Sequence, residues 1–358
     1  MKKRKVLAVL LCAAMTAALA VGCGGSKGSD SSDKSSDSSS SSDDVITVGF
    51  SQVGAESDWR TANSQSMKDT FSKENGYDLI FDDAQQKQEN QITAIRNFIQ
   101  QEVDYILLAP VTETGWDTVL QEAKDADIPV IIVDRMVDVS DDSLYTTWIG
   151  TDALCEGRKA AEWLNGFAEA KGIAASDIHI ADIQGTIGST AQIGRTKGLE
   201  EGVDKYGWDL VAQQTGEFTQ AKGQEVMESM LKQYDNINVV YCENDNEAFG
   251  AIDAIKAAGY EVGGEEGQIL VMSFDTTNAG LTQTLSGEIT CDTECNPLHG
   301  PRVEEIIQKL EAGEDVDKQA FVDEVAFASD DTVTKVTIDG TDYDITPITQ
   351  EIIDGRAY

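Results

Sequence analysis

The stretch that decides the fold is residues 130–138, which read V-I-I-V-D-R-M-V-D. Its β-favouring apolar run predicts a strand that can be buried on both faces, as in a parallel sheet. The run ends in Asp134 and Arg135, and open α/β sheets place their ligands at the carboxyl ends of the strands. A carboxylate accepts hydrogen bonds and a guanidinium donates several, so this pair suits a ligand rich in hydroxyls. The alternative is a surface ion pair after a strand.

The chain begins with an export signal. Basic residues at 2–5 precede an apolar run at 6–21, which is short for a transmembrane helix and typical of a signal-peptide core. The run ends L-A-V-G-C at Cys23, which resembles a bacterial lipoprotein signal, in which the cysteine becomes the acylated first residue of the mature protein. We predict a signal peptide at 1–22 and a lipid on Cys23 that anchors the protein outside the bacterial cell membrane. An exported protein without lipid is the alternative.

The segment after Cys23 is nearly all Ser, Asp, Gly and Lys as far as residue 44, with no large apolar side chain. Such a composition cannot offset the entropy of ordering the chain, so we predict a disordered tether over 23–44. A flexible chain of this length has a root-mean-square span of about 25 Å.

The remaining residues, 45–358, exceed the usual size of one domain, which predicts two lobes. The formal charge of the chain is -37 at pH 7; because the predicted signal contributes four positive charges, the remainder carries about -41. Nucleic acid and anionic lipid are therefore poor partners.

Four cysteines follow Cys23, at Cys155, Cys242, Cys291 and Cys295. The last two lie in a predicted extended segment, where four residues span roughly 13 Å, too far for a disulfide without a turn. We expect no obligatory disulfide framework. We also expect no zinc site, because the sequence has only two histidines and no C-x-x-C. No cofactor is expected either.

Predicted strands and helices alternate in two tandem series. The first series has strands at 46–51, 77–81, 105–108 and 130–133, with helices at 59–74, 90–101 and 116–126. The second follows a strand at 145–149 and has strands at 179–183, 210–214, 239–242 and 269–274, with helices between them. This pattern predicts an α/β fold of two doubly wound parallel-sheet lobes with a cleft between them.

The loops after these strands carry polar and aromatic side chains. Those of the first series are Glu56, Trp59, Arg60, Asp134 and Arg135, and those of the second are Arg195, Phe218, Asn244 and Asp275. Planar polar groups beside Trp and Phe match a sugar, which offers hydroxyls and a flat patch of C–H bonds.

Several of these residues have a structural alternative. Trp59 could belong to the core and Arg195 could be a solvated helix residue. Asp245, which follows Asn244, could contact the ligand or could be only a helix N-cap. The glycine-rich turn Q-G-T-I-G-S-T-A-Q-I-G, at 184–194, lacks both nucleotide-binding arrangements, and no G-x-S-x-G occurs.

Seven runs of the sequence closely resemble the periplasmic galactofuranose-binding proteins of ABC importers, within the ribose/galactose group of sugar-binding proteins. The runs are VGFSQVGAESDWR, DAQQKQENQ, LLAPVTETGWDTVLQEAKDADIPV, VDRMVDV, QGTIGS, GEFTQAKGQEVMES and ENDNEAFGAIDAIKAAG. The resemblance covers Val45 to about Pro301, and the final twenty or so residues match nothing we can place.

The resemblance implies a periplasmic binding protein of type 1, whose chain crosses between the lobes three times, here near Gly150, Asp292 and Ala326. The first lobe would then comprise 45–150 plus 293–325 and the second 151–292 plus 326–358. The resemblance implies that the loop residues above contact the ligand, joined by Glu294 or Asn296 at a crossing. Asp58 and Cys295 depart from the family pattern, which leaves the sugar open.

We therefore expect a monomeric, lipid-anchored protein that closes on a monosaccharide and delivers it to an ABC permease, without catalysis. A sugar sensor that acts on a membrane receptor is the alternative within binding proteins. An extracytoplasmic glycosidase would need a pair of carboxylates, for which Asp134 and Asp275 are the candidates, although neighbouring hydrogen-bond donors should keep both ionised. A sugar-responsive repressor has the same fold, but no basic DNA-binding segment occurs.

Overall fold

The computed structural model describes residues 45–358. The predicted signal peptide, Cys23 and the tether lie outside the described residues. In chain order, the elements are β1 (Ile46–Gln52), α1 (Asp58–Thr70), β2 (Tyr77–Asp83), α2 (Gln88–Gln100), β3 (Tyr105–Leu108), α3 (Asp117–Asp125), β4 (Val130–Val133), β5 (Thr147–Gly150), α4 (Ala153–Lys171), β6 (His179–Gln184), α5 (Thr190–Tyr206), β7 (Asp209–Thr215), α6 (Gln220–Gln233), β8 (Val239–Cys242), α7 (Asp245–Ala257), β9 (Leu270–Asp275), α8 (Asn278–Ser286), β10 (Cys291–Glu294), α9 (Gly300–Ala312), β11 (Gln319–Phe321), β12 (Ala326–Ala328), β13 (Lys335–Ile338), β14 (Thr341–Pro347) and α10 (Gln350–Gly355). None of the described helices is both long enough and apolar enough to cross a bilayer.

The first lobe contains a six-stranded sheet in the order β11-β5-β4-β3-β1-β2, and all its neighbouring strands are parallel. Strand β4 is buried on both faces. Ile131 and Val133 pack with residues of α1 and α9, whereas Val130 and Ile132 pack with residues of α2 and α3. Because successive side chains of a strand point to opposite faces, one apolar run holds both helical layers on the sheet.

The second lobe contains an eight-stranded sheet in the order β13-β14-β12-β10-β9-β8-β6-β7. Its strands are parallel from β7 to β10, but β12 pairs antiparallel with β10 and β13 pairs antiparallel with β14. The last two strands form a hairpin through Asp339 and Gly340, both at positive φ, as a two-residue hairpin turn requires. The predicted α/β class with two mostly parallel sheets is confirmed, and the antiparallel edge is an addition.

Three chain passages connect the lobes. The first runs from β5 to α4, the second from β10 to α9, and the third from β11 to β12. Strand β10 continues through Glu294, which pairs with Asp275 of β9. The second passage therefore begins after Glu294 rather than at Asp292, and Thr293 and Glu294 lie in the second lobe, outside the predicted first-lobe segment 293–325.

Candidate functional site

The loop between β1 and α1 places three predicted residues in the cleft. The Ser57 side chain caps α1 by accepting a hydrogen bond from the backbone N–H of Arg60, which starts the helix inside the cleft. Arg60 then lies between two carboxylates, with Nε 3.0 Å from Glu56 Oε1 and Nη1 2.8 Å from Asp134 Oδ2. Trp59 donates from Nε1 to the carbonyl of Cys295, 2.6 Å away, so this ring connects the first lobe to the second passage.

The chain turns sharply after β4 and directs Asp134 and Arg135 into the same cleft. Asp134 has a φ of 65°, a conformation that Asp tolerates better than most residues. A Cβ on Gly150 would lie 2.3 Å from the Asp134 carbonyl oxygen, so only glycine fits beside this turn. Arg135 donates from Nη1 to the Val111 carbonyl at 2.9 Å, while its buried Nε has no partner among the described residues.

The charges of this cluster set its ionisation. Burial alone would raise the pKa of Asp134, but Arg60 and Arg135 together hold it below its usual value. Burial and repulsion from Arg60 lower the pKa of Arg135 to about 10. We call the five residues the first-lobe half-site: Glu56, Trp59, Arg60, Asp134 and Arg135.

Arg195 is the central cation of the second lobe, and only 2% of it is exposed. Its Nε donates to Glu156 Oε2 at 2.8 Å, its Nη1 donates to the Glu243 carbonyl at 2.5 Å, and its Nη2 lies 3.6 Å from Asp275 Oδ1. The alternative that Arg195 is a solvated helix residue is therefore wrong.

A close contact between glycines of α4 and α5 places Arg195 beside Glu156. A Cβ on Gly198 of α5 would lie 2.5 Å from the carbonyl carbon of Gly157 of α4. The two helices therefore touch backbone to backbone, and Glu156 on α4 meets Arg195 on α5.

Three further residues, Phe218, Asn244 and Asp275, join Arg195 in the cleft. We call these four residues the second-lobe half-site. Asn244 caps α7 by accepting from the Glu247 N–H at 2.8 Å, and it donates to the Phe218 carbonyl at 3.2 Å. Burial raises the pKa of Asp275 well above its usual value, although Arg195 opposes that shift.

Asp245 has a different role from either one that the sequence suggested. The N-cap of α7 is Asn244, and the buried carboxylate of Asp245 accepts from Ser273 and Thr277 instead. These bonds fix the chain on both sides of Asp275, the last residue of β9. The Asp245 side chain therefore supports Asp275, which lines the cavity, and does not line the cavity itself.

The two half-sites face one another across a cavity of about 290 Å³. Nine predicted residues line it, with Ser57, Ala191 and Cys295 in addition: Glu56, Trp59, Arg60, Asp134, Arg135, Arg195, Phe218, Asn244 and Asp275. The Arg135 guanidinium carbon lies 5.2 Å from the centre of the Phe218 ring, across the cleft.

The lobes are closed over this cavity. Asp58 N–H donates to Asn246 Oδ1 at 3.0 Å, and Met136 N–H donates to Thr190 Oγ1 at 2.7 Å. Each of these hydrogen bonds joins a backbone N–H of the first lobe to a side chain of the second. Asp58, which departs from the family pattern, thus lies at the rim where the lobes meet.

Glu294 and Asn296 do not reach the cavity. Glu294 Oε1 accepts from Arg356 and Tyr358 at 2.6 and 2.8 Å, and Asn296 Oδ1 accepts from the Leu298 N–H at 3.0 Å. Side chains alternate along an extended segment, so Cys295 between them points the other way, into the cavity. The alternation was visible in the sequence, but the face that points to the cavity was not.

All four cysteines of the described chain are free thiols. Cys242, Cys291 and Cys295 are buried, and Cys155 is half-buried. Burial raises the pKa of the Cys295 thiol well above its usual value.

Comparison with known proteins agrees with this architecture. The model of the periplasmic binding protein domain matches residues 48–293. The chain belongs to the periplasmic binding protein family.

Relatives of this periplasmic binding protein bind sugars. It is 42% identical over 261 residues to the galactofuranose-binding protein YtfQ of Escherichia coli K12, a match that covers 72% of this chain and 79% of YtfQ. A Mycobacterium smegmatis protein in complex with β-D-fucofuranose is 43% identical, with a TM-score of 0.75, over 80% of this chain and 92% of that one. The arabinose-binding component of a Shewanella sp. ANA-3 ABC transporter, bound to L-arabinofuranose, is also 43% identical, with a TM-score of 0.73, over 80% and 93% of the two chains.

Proposed function

We propose that this protein captures a neutral monosaccharide in its furanose form, within the cleft, and delivers it to an ABC permease. The observation that carries the proposal is the pairing of two half-sites, each with a buried arginine held by carboxylates and an aromatic ring that lines the same cavity. Such groups bind hydroxyls in bidentate fashion and cover a sugar's C–H face. The named ligands of the relatives support the furanose ring.

The size and charge of the cavity support a single small, neutral ligand. The space between the two half-sites is only about 290 Å³, which suits one small ligand. Glu56 and Asp134 balance Arg60 and Arg135 in the first-lobe half-site, so no cation there is left over for an anionic ligand.

Ring form is the sharpest test of this proposal. Galactose labelled with carbon-13 at C1 can be added to the purified protein, and the anomeric chemical shift of the bound sugar distinguishes furanose from pyranose. We expect a bound furanose signal, with unlabelled D-ribose and L-arabinose as competitors. A bound pyranose signal would reject the furanose ring, and the absence of binding by any neutral sugar would reject the proposal.

A glycosidase remains the competing class because of one observation. The pKa of Asp134 is lowered and that of Asp275 is raised. In glycosidases, such opposite shifts give one carboxylate the role of nucleophile, here Asp134, and the other the role of acid, here Asp275. The expectation that both carboxylates stay ionised thus fails for Asp275. The hydrogen bonds that join the two lobes across the cleft favour binding, since a glycosidase must also admit the leaving group. Recovery of intact methyl galactofuranoside after long incubation would support binding alone.

The anchoring and delivery steps belong to the same proposal. We expect Cys23→Ser to release the protein from the membrane fraction or to leave it unprocessed, which fractionation and mass spectrometry would detect. Membrane fractionation and mass like those of the wild type would count against a lipid on Cys23. The folded protein would act as a monomer, which light scattering can check.

A further inference from the structure

A second cluster of potential ligands lies beside the cavity, where the three passages between the lobes meet. Glu156, Cys295 and Glu324 each offer a ligand atom, and these atoms lie within 4.8 Å of one another. Glu156 lies on α4, Cys295 in the second passage and Glu324 in the third. The cluster therefore joins parts of the chain that must move relative to each other if the lobes open.

One oxygen of Glu156 is free for a ligand. Its Oε2 is held by Arg195 at 2.8 Å, but its Oε1 is buried without a hydrogen-bond partner among residues 45–358. Only 1% of Glu156 is exposed to bulk solvent. A buried unpaired carboxylate oxygen is costly unless a cation or a proton satisfies it.

Glu324 is already oriented as a metal ligand would be. Its Oε1 accepts from Thr151 Oγ1 at 2.7 Å and from the Asn296 N–H at 2.6 Å. Supporting hydrogen bonds of this kind fix ligating carboxylates around protein-bound metals. Thr151 Oγ1 also lies 3.5 Å from Cys295 Sγ, so one hydroxyl contacts two members of the cluster.

The cationic side chains nearby leave Glu324 uncompensated. Arg195 already pairs with Glu156 and Asp275. Lys159 donates to the backbone carbonyl of Glu324 and lies 4.7 Å from the Tyr343 ring centre. Within the described chain, no cationic side chain forms an ion pair with the Glu324 carboxylate.

We propose that Glu156, Cys295 and Glu324 form a binding site for a thiophilic divalent cation, of which Zn²⁺ is the prototype. A thiolate and two carboxylates give Zn²⁺ three protein ligands and leave one position for water or another small donor. The thiolate selects against Mg²⁺ and Ca²⁺, which prefer oxygen ligands alone. Binding displaces the proton of the Cys295 thiol to solvent, and no bond to carbon changes.

The consequence of an occupied site is mechanical. The cation would connect the second and third passages to α4, so it should stabilise the folded chain and raise its melting temperature. This inference does not depend on which sugar enters the cleft.

The test uses the purified full chain, reduced and freed of metals, with Cd²⁺ as a spectroscopic probe and Zn²⁺ in calorimetry. We expect one Cd²⁺ per chain, with the ultraviolet charge-transfer band of a Cd–thiolate bond. Cys295→Ser should abolish the band, and Cys155→Ser, which changes the half-buried thiol, should retain it. Millimolar Mg²⁺ should not remove it.

Glu324→Gln is a second variant that does not alter any thiol. We expect it to weaken Zn²⁺ binding by at least about tenfold, since even loss of an outer-shell partner costs roughly 10–100-fold. It should also abolish the rise in melting temperature with Zn²⁺. Absence of a band in the wild type, a band that survives Cys295→Ser, or unchanged Zn²⁺ affinity in Glu324→Gln would overturn the site.

Discussion

The two half-sites contain the same types of residue but differ in charge balance. In the first lobe, two arginines face two carboxylates. Arg60 forms ion pairs with both Glu56 and Asp134, and Arg135 forms one with Glu56. In the second lobe, Arg195 alone faces both Glu156 and Asp275.

The carboxylates of the two half-sites respond in opposite directions. Asp134 and Asp275 are about equally buried, at 8% and 4% exposed, yet the pKa of Asp134 is lowered and that of Asp275 is raised. For both, burial favours the neutral form. Two neighbouring guanidinium groups outweigh it at Asp134, and one shared guanidinium does not outweigh it at Asp275. The supply of counter-charges therefore decides ionisation.

The largest expected difference between the half-sites is in how much stability is lost when an arginine is replaced. Arg195→Met should lower the free energy of unfolding by about 3–5 kcal/mol, because Glu156 and Asp275 then lose their buried partner. Arg135→Met should cost far less, because burial and Arg60 already disfavour the Arg135 charge and lower its pKa to about 10. Urea denaturation without sugar measures both. Equal losses of unfolding free energy in the two variants would contradict the difference in charge balance between the half-sites.

The next effect concerns ligand affinity in the first lobe. Asp134→Ala should cost roughly 2–4 kcal/mol of sugar binding, because a buried guanidinium loses its partner. Asp138→Ala is the matched control, since Asp138 follows the same strand but is exposed. Calorimetry on both variants makes the comparison. Wild-type affinity in a folded Asp134→Ala protein would reduce Asp134 and Arg135 to the ion pair that the sequence also allowed.

A smaller effect should appear in the pH dependence of stability. Burial raises the pKa of Asp182, in the second lobe, to about 8. Because the folded pKa lies above the unfolded value, the contribution of Asp182 to the free energy of unfolding is fully present below about pH 4. It is lost as the pH rises through 8.

Between pH 6 and 8 the free energy of unfolding should therefore fall with rising pH, with a slope of up to roughly 1.4 kcal/mol per pH unit for this one group, and it should level off above pH 8. Asp182→Asn should flatten that slope, since the amide cannot titrate. Thermal unfolding across the range checks it, with Asp138→Asn as the exposed control. A slope unchanged by Asp182→Asn would exclude this carboxyl as its source.

The sequence predicted what depends on local pattern. The run at 130–133 indicated a strand buried on both faces, and polar residues at strand ends indicated one cleft, because parallel strands bring those ends together. It could not predict the cluster of Glu156, Cys295 and Glu324, whose members come from three distant segments without ligand spacing. Nor could it predict the antiparallel edge of the second sheet, where the turn at Asp339 and Gly340 forms a hairpin.

The smallest expected effect is on sugar affinity when Asn296 is replaced. The family resemblance made this residue one of two candidate ligand contacts, whereas its side chain does not line the cavity. Asn296 follows Cys295 directly, but its side chain caps a local turn at Leu298 and contacts Arg302. Asn296→Ala should therefore change sugar affinity by less than about 0.5 kcal/mol, as substitutions away from a site do. Asn244→Ala is the contrast, because Asn244 lines the cavity, caps α7 and holds the Phe218 carbonyl. Calorimetry under one set of conditions compares the two. A loss at Asn296 as large as that at Asn244 would return the crossing residues to the ligand-binding set, and would mean that the closed cleft reaches further toward the passages than its lining residues indicate.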